Sequence, residues 1–260
     1  MAIKSRDFTL EKYQELCKVL QEQYTVYTVS EYLSVKPEGP VAVLRHDVDR
    51  KIQNSLNMAK KEHERGICSS YYFRYPYTFN KEIIREIRDL GHEIGYHYEV
   101  LSKANGDFST AIALFGSELE EFRKIGPVDT ICMHGSPLSK FNNRDLWKHY
   151  DFHSFGIHGE AFLSFEQDPE EIHYLTDTGR TWSNRHTLRD IMHSKPGKEK
   201  PLSIDTTDDL IAWLSHGAGK KLYITVHPER WASGTGEWLV WSFLDFWMNI
   251  GKKILHWRYS

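Results

Sequence analysis

Cysteine is scarce in this chain. Three occur in 260 residues, Cys17, Cys68 and Cys132, an odd number with no Cys-x-x-Cys pair. A disulfide framework is therefore not expected, and the two in apolar strand-like runs read as buried free thiols. Long apolar runs are missing too. No stretch approaches the ~20 apolar residues of a membrane-spanning helix, so no membrane span is expected. The first residues, Met1-Ala2-Ile3-Lys4-Ser5-Arg6-Asp7, hold no apolar segment of the signal-peptide kind, which makes a cytoplasmic protein the expectation. Nor is one charge in excess: 33 Lys and Arg face 36 Asp and Glu, a formal net charge of -3. That offers no general attraction to nucleic acid or to anionic lipid. No linker-like tract and no fixed-period repeat divides the sequence. One domain over residues 1–260 is expected, with residues 1–38 as a helical extension packed on it.

What is present is an ordinary globular composition, 40% hydrophobic and 27% charged, with aromatics at 13% including 8 Trp. Many of those rings must be core; the rest suit a flat or ring-shaped ligand.

The stretch Val41-Ala42-Val43-Leu44-Arg45-His46-Asp47-Val48-Asp49-Arg50 organises the chain. An apolar run behind Pro40 reads as a buried strand, and it ends in two acids. Side chains alternate along a strand, so Asp47 and Asp49 leave on one side. Two carboxylates that close need a cation between them or a proton on one. The plainer alternative is a solvated loop in which one acid caps the next helix. Further strands are expected at 68–74, 93–97, 129–133, 161–163, 172–175 and 221–226. Helices are expected at 9–23, 51–65 (Leu56, Met58, Ala59 and His63 on one face), 80–90, 109–124, 143–149, 208–215 and from Glu237 to about His256. Lys195–Pro201 reads as an exposed loop. Strands separated by helices imply parallel pairing, hence an α/β fold of the parallel (β/α) barrel kind with an irregular middle.

Four strand ends carry polar residues: Asp47 with Asp49, His97 with Glu99, His134, and His227. A parallel barrel gathers such ends at one face. Aspartate and histidine together suit zinc or another first-row divalent ion, which would lower the pKa of a bound water.

Gly91-His92-Glu93-Ile94-Gly95-Tyr96-His97 resembles the second motif of the NodB-homology polysaccharide deacetylases. His46-Asp47-Val48-Asp49 is similar to their first motif, and Thr225-Val226-His227-Pro228 to their last. The resemblance spans roughly residues 40 to 230, and the Gly-His-Glu-Ile-Gly-x-His run is its specific part. It implies a distorted βα barrel, a single domain, that removes acetyl groups from sugars with a divalent metal, zinc first, with cobalt, nickel, iron or manganese as alternatives. Carried over by position, Asp47 is the general base, Asp49 and His97 are metal ligands, and His227 is the general acid. The implied partner is an N-acetylated sugar or sugar nucleotide used in surface-polysaccharide synthesis.

Two departures stand out. The family's second ligand histidine falls on Leu101, which binds no metal, and the arginine expected near the third motif is replaced by Met133-His134-Gly135. His134 is the economical third ligand; Glu99 competes; a barrel that holds no metal tightly is the remaining option. The runs Gly159–Ser164 and Tyr174–Trp182 are similar to a subgroup beside surface-polysaccharide enzymes, which implies substrate contacts from Asp177 and Trp182, with Glu160 as a further candidate. Glu99, Arg45 and Arg230 are placed either to pair with acids or to meet substrate. The rival functions are a non-catalytic carbohydrate-binding barrel and a hydrolase of other C–N bonds. The tail stripe Trp238, Trp241, Phe243, Leu244 and Trp247 reads as core or subunit interface, which leaves a homo-oligomer open.

Overall fold

In the computed structural model, residues 6–136, 139–166, 172–183, 204–217, 219 and 221–240 are described. The chain opens with α1 (Leu10–Gln23), β1 (Thr25–Tyr27) and α2 (Val29–Val35). There follow β2 (Val41–Val48), α3 (Ile52–His63), β3 (Ser70–Phe73), α4 (Lys81–Asp89) and β4 (Glu93–Tyr98). Then come α5 (Val100–Lys103), α6 (Phe108–Arg123), β5 (Thr130–Met133), β6 (Gly159–Glu160), α7 (Leu163–Glu166), β7 (His173–Thr176), α8 (Thr207–Ser215) and β8 (Lys221–Val226). Side chains of Thr9, Asn80 and Asp107 cap α1, α4 and α6 by accepting a backbone N–H of the first turn. Thr28 with Glu31, and Thr206 with Asp209, form reciprocal boxes at the starts of α2 and α8.

All strand pairings are parallel, and seven strands run in the order β6-β5-β4-β3-β2-β8-β7. The sheet curls into a half-barrel, which is compatible with a distorted (β/α) barrel. β8 takes one edge of β2, while β1 pairs at Val41–Val43 and β3 at Arg45–Val48. The N-terminal section thus contributes a strand to the sheet besides packing a helix on it. Across the open side, the Phe162 and Tyr174 rings lie 6.2 Å apart.

The alternation of β2 sorts its residues between two apolar clusters. Val41 and Val43 join the larger one with Tyr223, and Ala42 and Leu44 join the other, beneath α1 and α8. Arg45 and Asp47 continue the first side. His46 continues the second, where its Nε2 lies 2.7 Å from Glu62 Oε1.

The structure differs from the sequence reading in three places. Residues 161–163 are not a strand; β6 ends at Glu160, whose carboxylate accepts the backbone N–H groups of Phe162 and Leu163 at 2.8 Å each and starts α7. His63 is exposed and Glu62 buried in its stead. Hydroxyls of Tyr13, Ser69 and Tyr71 donate to Glu62, which solvates a charge that helical periodicity assigns to water. Residues 143–148 form a 3-10 turn. Of the tail, residues 235–240 are helical; Trp241, Phe243, Leu244, Trp247 and Lys195–Pro201 lie outside the described residues. Among the described residues no helix is long and apolar enough to cross a membrane.

Candidate functional site

β2 delivers the first acid. Asp47 is buried, and the Arg45 guanidinium, two residues earlier on the same face, grips it with Nε on Oδ1 and Nη2 on Oδ2, both at 3.0 Å. Arg45 is itself held: Nη1 donates to the Tyr223 hydroxyl at 2.7 Å, and its Cζ lies 4.3 Å from the Phe162 ring centroid. Burial alone would raise the Asp47 carboxyl. Arg45 above all, with His97 and His227, reverses that and holds it below the usual carboxylate range.

Asp49 follows the strand, and its Oδ1 is buried without a hydrogen-bond donor. That oxygen lies 3.3 Å from His97 Nε2 and 3.4 Å from His134 Nε2. The two rings meet edge to face, with centroids 5.3 Å apart. His97 comes from β4 and His134 follows β5, neighbouring strands in the sheet. Each ring has its other nitrogen occupied. His97 Nδ1–H donates to the Cys132 carbonyl at 3.0 Å, and His134 Nδ1–H donates to Glu99 Oε2 at 2.9 Å. A carbonyl only accepts, so the His97 proton is assigned to Nδ1 and its Nε2 lone pair faces Asp49. Arg74, at the end of β3, forks onto Glu99 with Nη2 2.9 Å from each oxygen. Burial opposes the charge of Glu99, but His134 and Arg74 pull its carboxyl down to about 2. Burial likewise opposes ionised Asp49, and His134 and His97 overcome it and hold the carboxyl well below its usual range. The His134 ring, penalised by burial, is lifted by Asp49 and Glu99.

The third part stands on β7 and β8. His227 Nδ1–H donates to Asp177 Oδ1 at 2.6 Å. Asp177 Oδ2 accepts the His227 backbone N–H at 3.0 Å and the Trp231 indole N–H at 2.9 Å. Burial and Arg230 both disfavour a charged ring here, yet Asp177 wins and raises His227 to about 9. Two residues on, Glu229 is 3% exposed, and neither carboxylate oxygen has a hydrogen-bond partner among the described residues. Burial, then the charge of Asp49, pushes it up to about 7.

Two donor sets share His97. Bonds of about 2.0–2.1 Å to a tetrahedral zinc place its ligand atoms about 3.3 Å apart. Asp49 Oδ1 stands at that spacing from each imidazole, but Asp49, His97 and His134 do not have all their donor atoms within 4.8 Å of one another, so the two ring nitrogens must close on a common ion for this set to bind one. Asp47, His97 and Cys132 form the other set, with donor atoms all within 4.8 Å of one another. This buried group can hold a metal ion. There the carboxylate already accepts two guanidinium N–H bonds, so an ion would share it with Arg45.

Asp47, Asp49, His97, His134 and Glu99 therefore gather at the strand tips through linked contacts, and His227 with Asp177 stands near enough for its charge to act on Asp47 and Asp49. Arg45 is fully buried, with its donors on protein atoms. Asp177 is fully buried against His227 and Trp231. Arg230 Nη1 donates to the Asp177 carbonyl at 2.6 Å. Trp182 lies apart, in the cluster under α1 and α8, and its indole N–H donates to Thr207 Oγ1 at 3.0 Å. Glu160 is fully buried and caps α7. Leu101 is packed in the core.

Sequence reasoning missed Arg74, Cys132 and Glu229. Arg74 directly follows an apolar run, the same signal that singled out His134. Cys132 shares its strand face with His134 by alternation. Glu229 had only its nearness to His227. Comparison with protein-family models, with curated proteins and with solved structures finds no match.

Proposed function

We propose that the chain is a metal-dependent hydrolase that removes an acetyl group from an N-acetylated sugar or sugar precursor, in the manner of the NodB-homology polysaccharide deacetylases. The observation that carries this reading is the donor-free Asp49 Oδ1 set 3.3 and 3.4 Å from two imidazole nitrogens. Asp49, His97 and His134 would hold a divalent ion, zinc or another first-row metal, which when bound supplies Lewis-acid polarisation of the acetyl carbonyl and a more acidic water.

The chain's own residues supply the proton transfers. Asp47, kept ionised and aimed by Arg45, accepts the proton of the attacking water. His227, held at about 9 by Asp177, is protonated at neutral pH and donates to the leaving amine. Glu99 and Arg74 orient His134 from behind, as partners of a ligand imidazole do. Zinc content and acetate release from N-acetylhexosamines test the reading together. Asp49→Ala should lose the metal, and Asp47→Asn should keep it but stop acetate release. Equal metal loss in both variants would sink this division of roles.

The donor set containing Cys132 favours a second reading. An ion held by Asp47, His97 and Cys132 would occupy the proposed base and leave a sugar-binding barrel without turnover. Tight sugar binding with no acetate released would select it.

A further inference from the structure

Glu229 is a buried acid that the proton transfers above do not use. It stands on the short turn Pro228–Arg230 that follows β8, beside the strand that delivers Asp49. Its surroundings leave it unsatisfied. It is 3% exposed, both carboxylate oxygens lack a hydrogen-bond donor among the described residues, and none of the described ion pairs includes it. The backbone around it is fixed. Asn54 Nδ2 donates to the carbonyls of Pro228 at 3.3 Å and Trp231 at 3.1 Å, one on each side of Glu229. The Trp231 indole is anchored on Asp177.

A carboxylate taken out of water without donors is costly to keep. Left without donors it moves toward the protonated form, as the rise of Glu229 to about 7 records, and a ligand that provides the donors would hold it ionised. Other buried acids of this fold are not in that state: Glu62 has three hydroxyl donors, and Glu160 has three backbone N–H donors. The orphaned acid stands just past the tip of β8, near enough to Asp49 for that charge to act on it.

From this we infer that Glu229 is a substrate-binding residue, whose two carboxylate oxygens accept hydrogen bonds from adjacent hydroxyl groups of a sugar ring. The inference rests on the proposed sugar substrate. Two free oxygens on one planar group match the paired donors of a vicinal diol.

The test uses the full chain and its Glu229→Gln variant, titrated by calorimetry with a panel of N-acetylhexosamines and each ligand's deoxy analogues. The amide keeps the shape and loses an acceptor and the charge. Binding should weaken about tenfold or more, the usual scale for hydrogen bonds to a charged group. Deoxy analogues lacking one hydroxyl of the pair should lose more affinity for wild type than for the variant. The ligand-free variant should melt no lower than wild type, because an unsatisfied carboxylate is removed. Equal sugar affinity in both proteins overturns the inference while the deacetylase reading stands. A fall in melting temperature makes Glu229 structural and overturns it. Loss of bound zinc in the variant makes it a metal ligand, and also overturns it. Wild type that binds no sugar of the panel removes the reading beneath it as well.

Discussion

Replacing Asp177 with asparagine isolates what holds the proton on His227. The substitution preserves size and leaves a carbonyl facing Nδ1, but removes the negative charge 2.6 Å from the ring. Burial and Arg230 then act on His227 without their main opponent. Its midpoint should drop from about 9 to below the ordinary 6.5. At ~1.4 kcal/mol per pH unit, the rise in the wild type is on the order of 3 kcal/mol. The same quantity appears in folding. The folded chain keeps this proton up to about 9, while the unfolded chain releases it at 6.5. Below 6.5, down to the carboxylate range, the pair contributes in full; between the two values stability falls as pH rises. NMR titration of the labelled imidazoles, with His227→Gln to assign the resonance, reads the midpoint. Urea unfolding at several pH values reads the slope. A midpoint that stays near 9 in Asp177→Asn would show that another charge holds the proton, and the account of His227 as a general acid tuned by Asp177 would be refuted.

Cysteine to serine at Cys132 separates the two donor sets. Zinc content should be unchanged if Asp49, His97 and His134 hold the ion, and cobalt loaded in its place should show no thiolate charge-transfer band; loss of metal on this substitution would transfer the site to Asp47, His97 and Cys132. Glu62→Gln removes the buried charge that accepts three hydroxyl hydrogen bonds and lies 2.7 Å from His46, and should cost about 1.5–3 kcal/mol in urea unfolding. Burial opposes the charge of Glu62, yet His46, His92 and Ser69 bring its carboxyl from 4.5 down to about 2, so this stabilisation is present above 4.5 and lost as pH falls toward 2. A cost under about 1 kcal/mol, the scale of an exposed pair, would show that the network is not what seats α3 on the sheet.

The sequence by itself determined the alternation of strands and helices from β2 to β5, the strand β8, and the residues at their tips. Apolar runs ending in Asp47, His97, His134 and His227 are local signals, and a parallel sheet brings like ends together wherever each strand sits in the order. The period of two also carried Arg45 and Asp47 to one face. Only the tertiary structure decided what each polar group meets. Arg45 turns to Asp47 because Tyr223 and Phe162, far along the chain, close over it. Trp182 sits in the core because α8 brings Thr207 to its indole nitrogen. Glu62 is buried because hydroxyls from α1 and β3 solvate it, and Glu229 is left bare because no described residue does. Partners of that kind come from elements packed across the sheet, and local periodicity has no record of them.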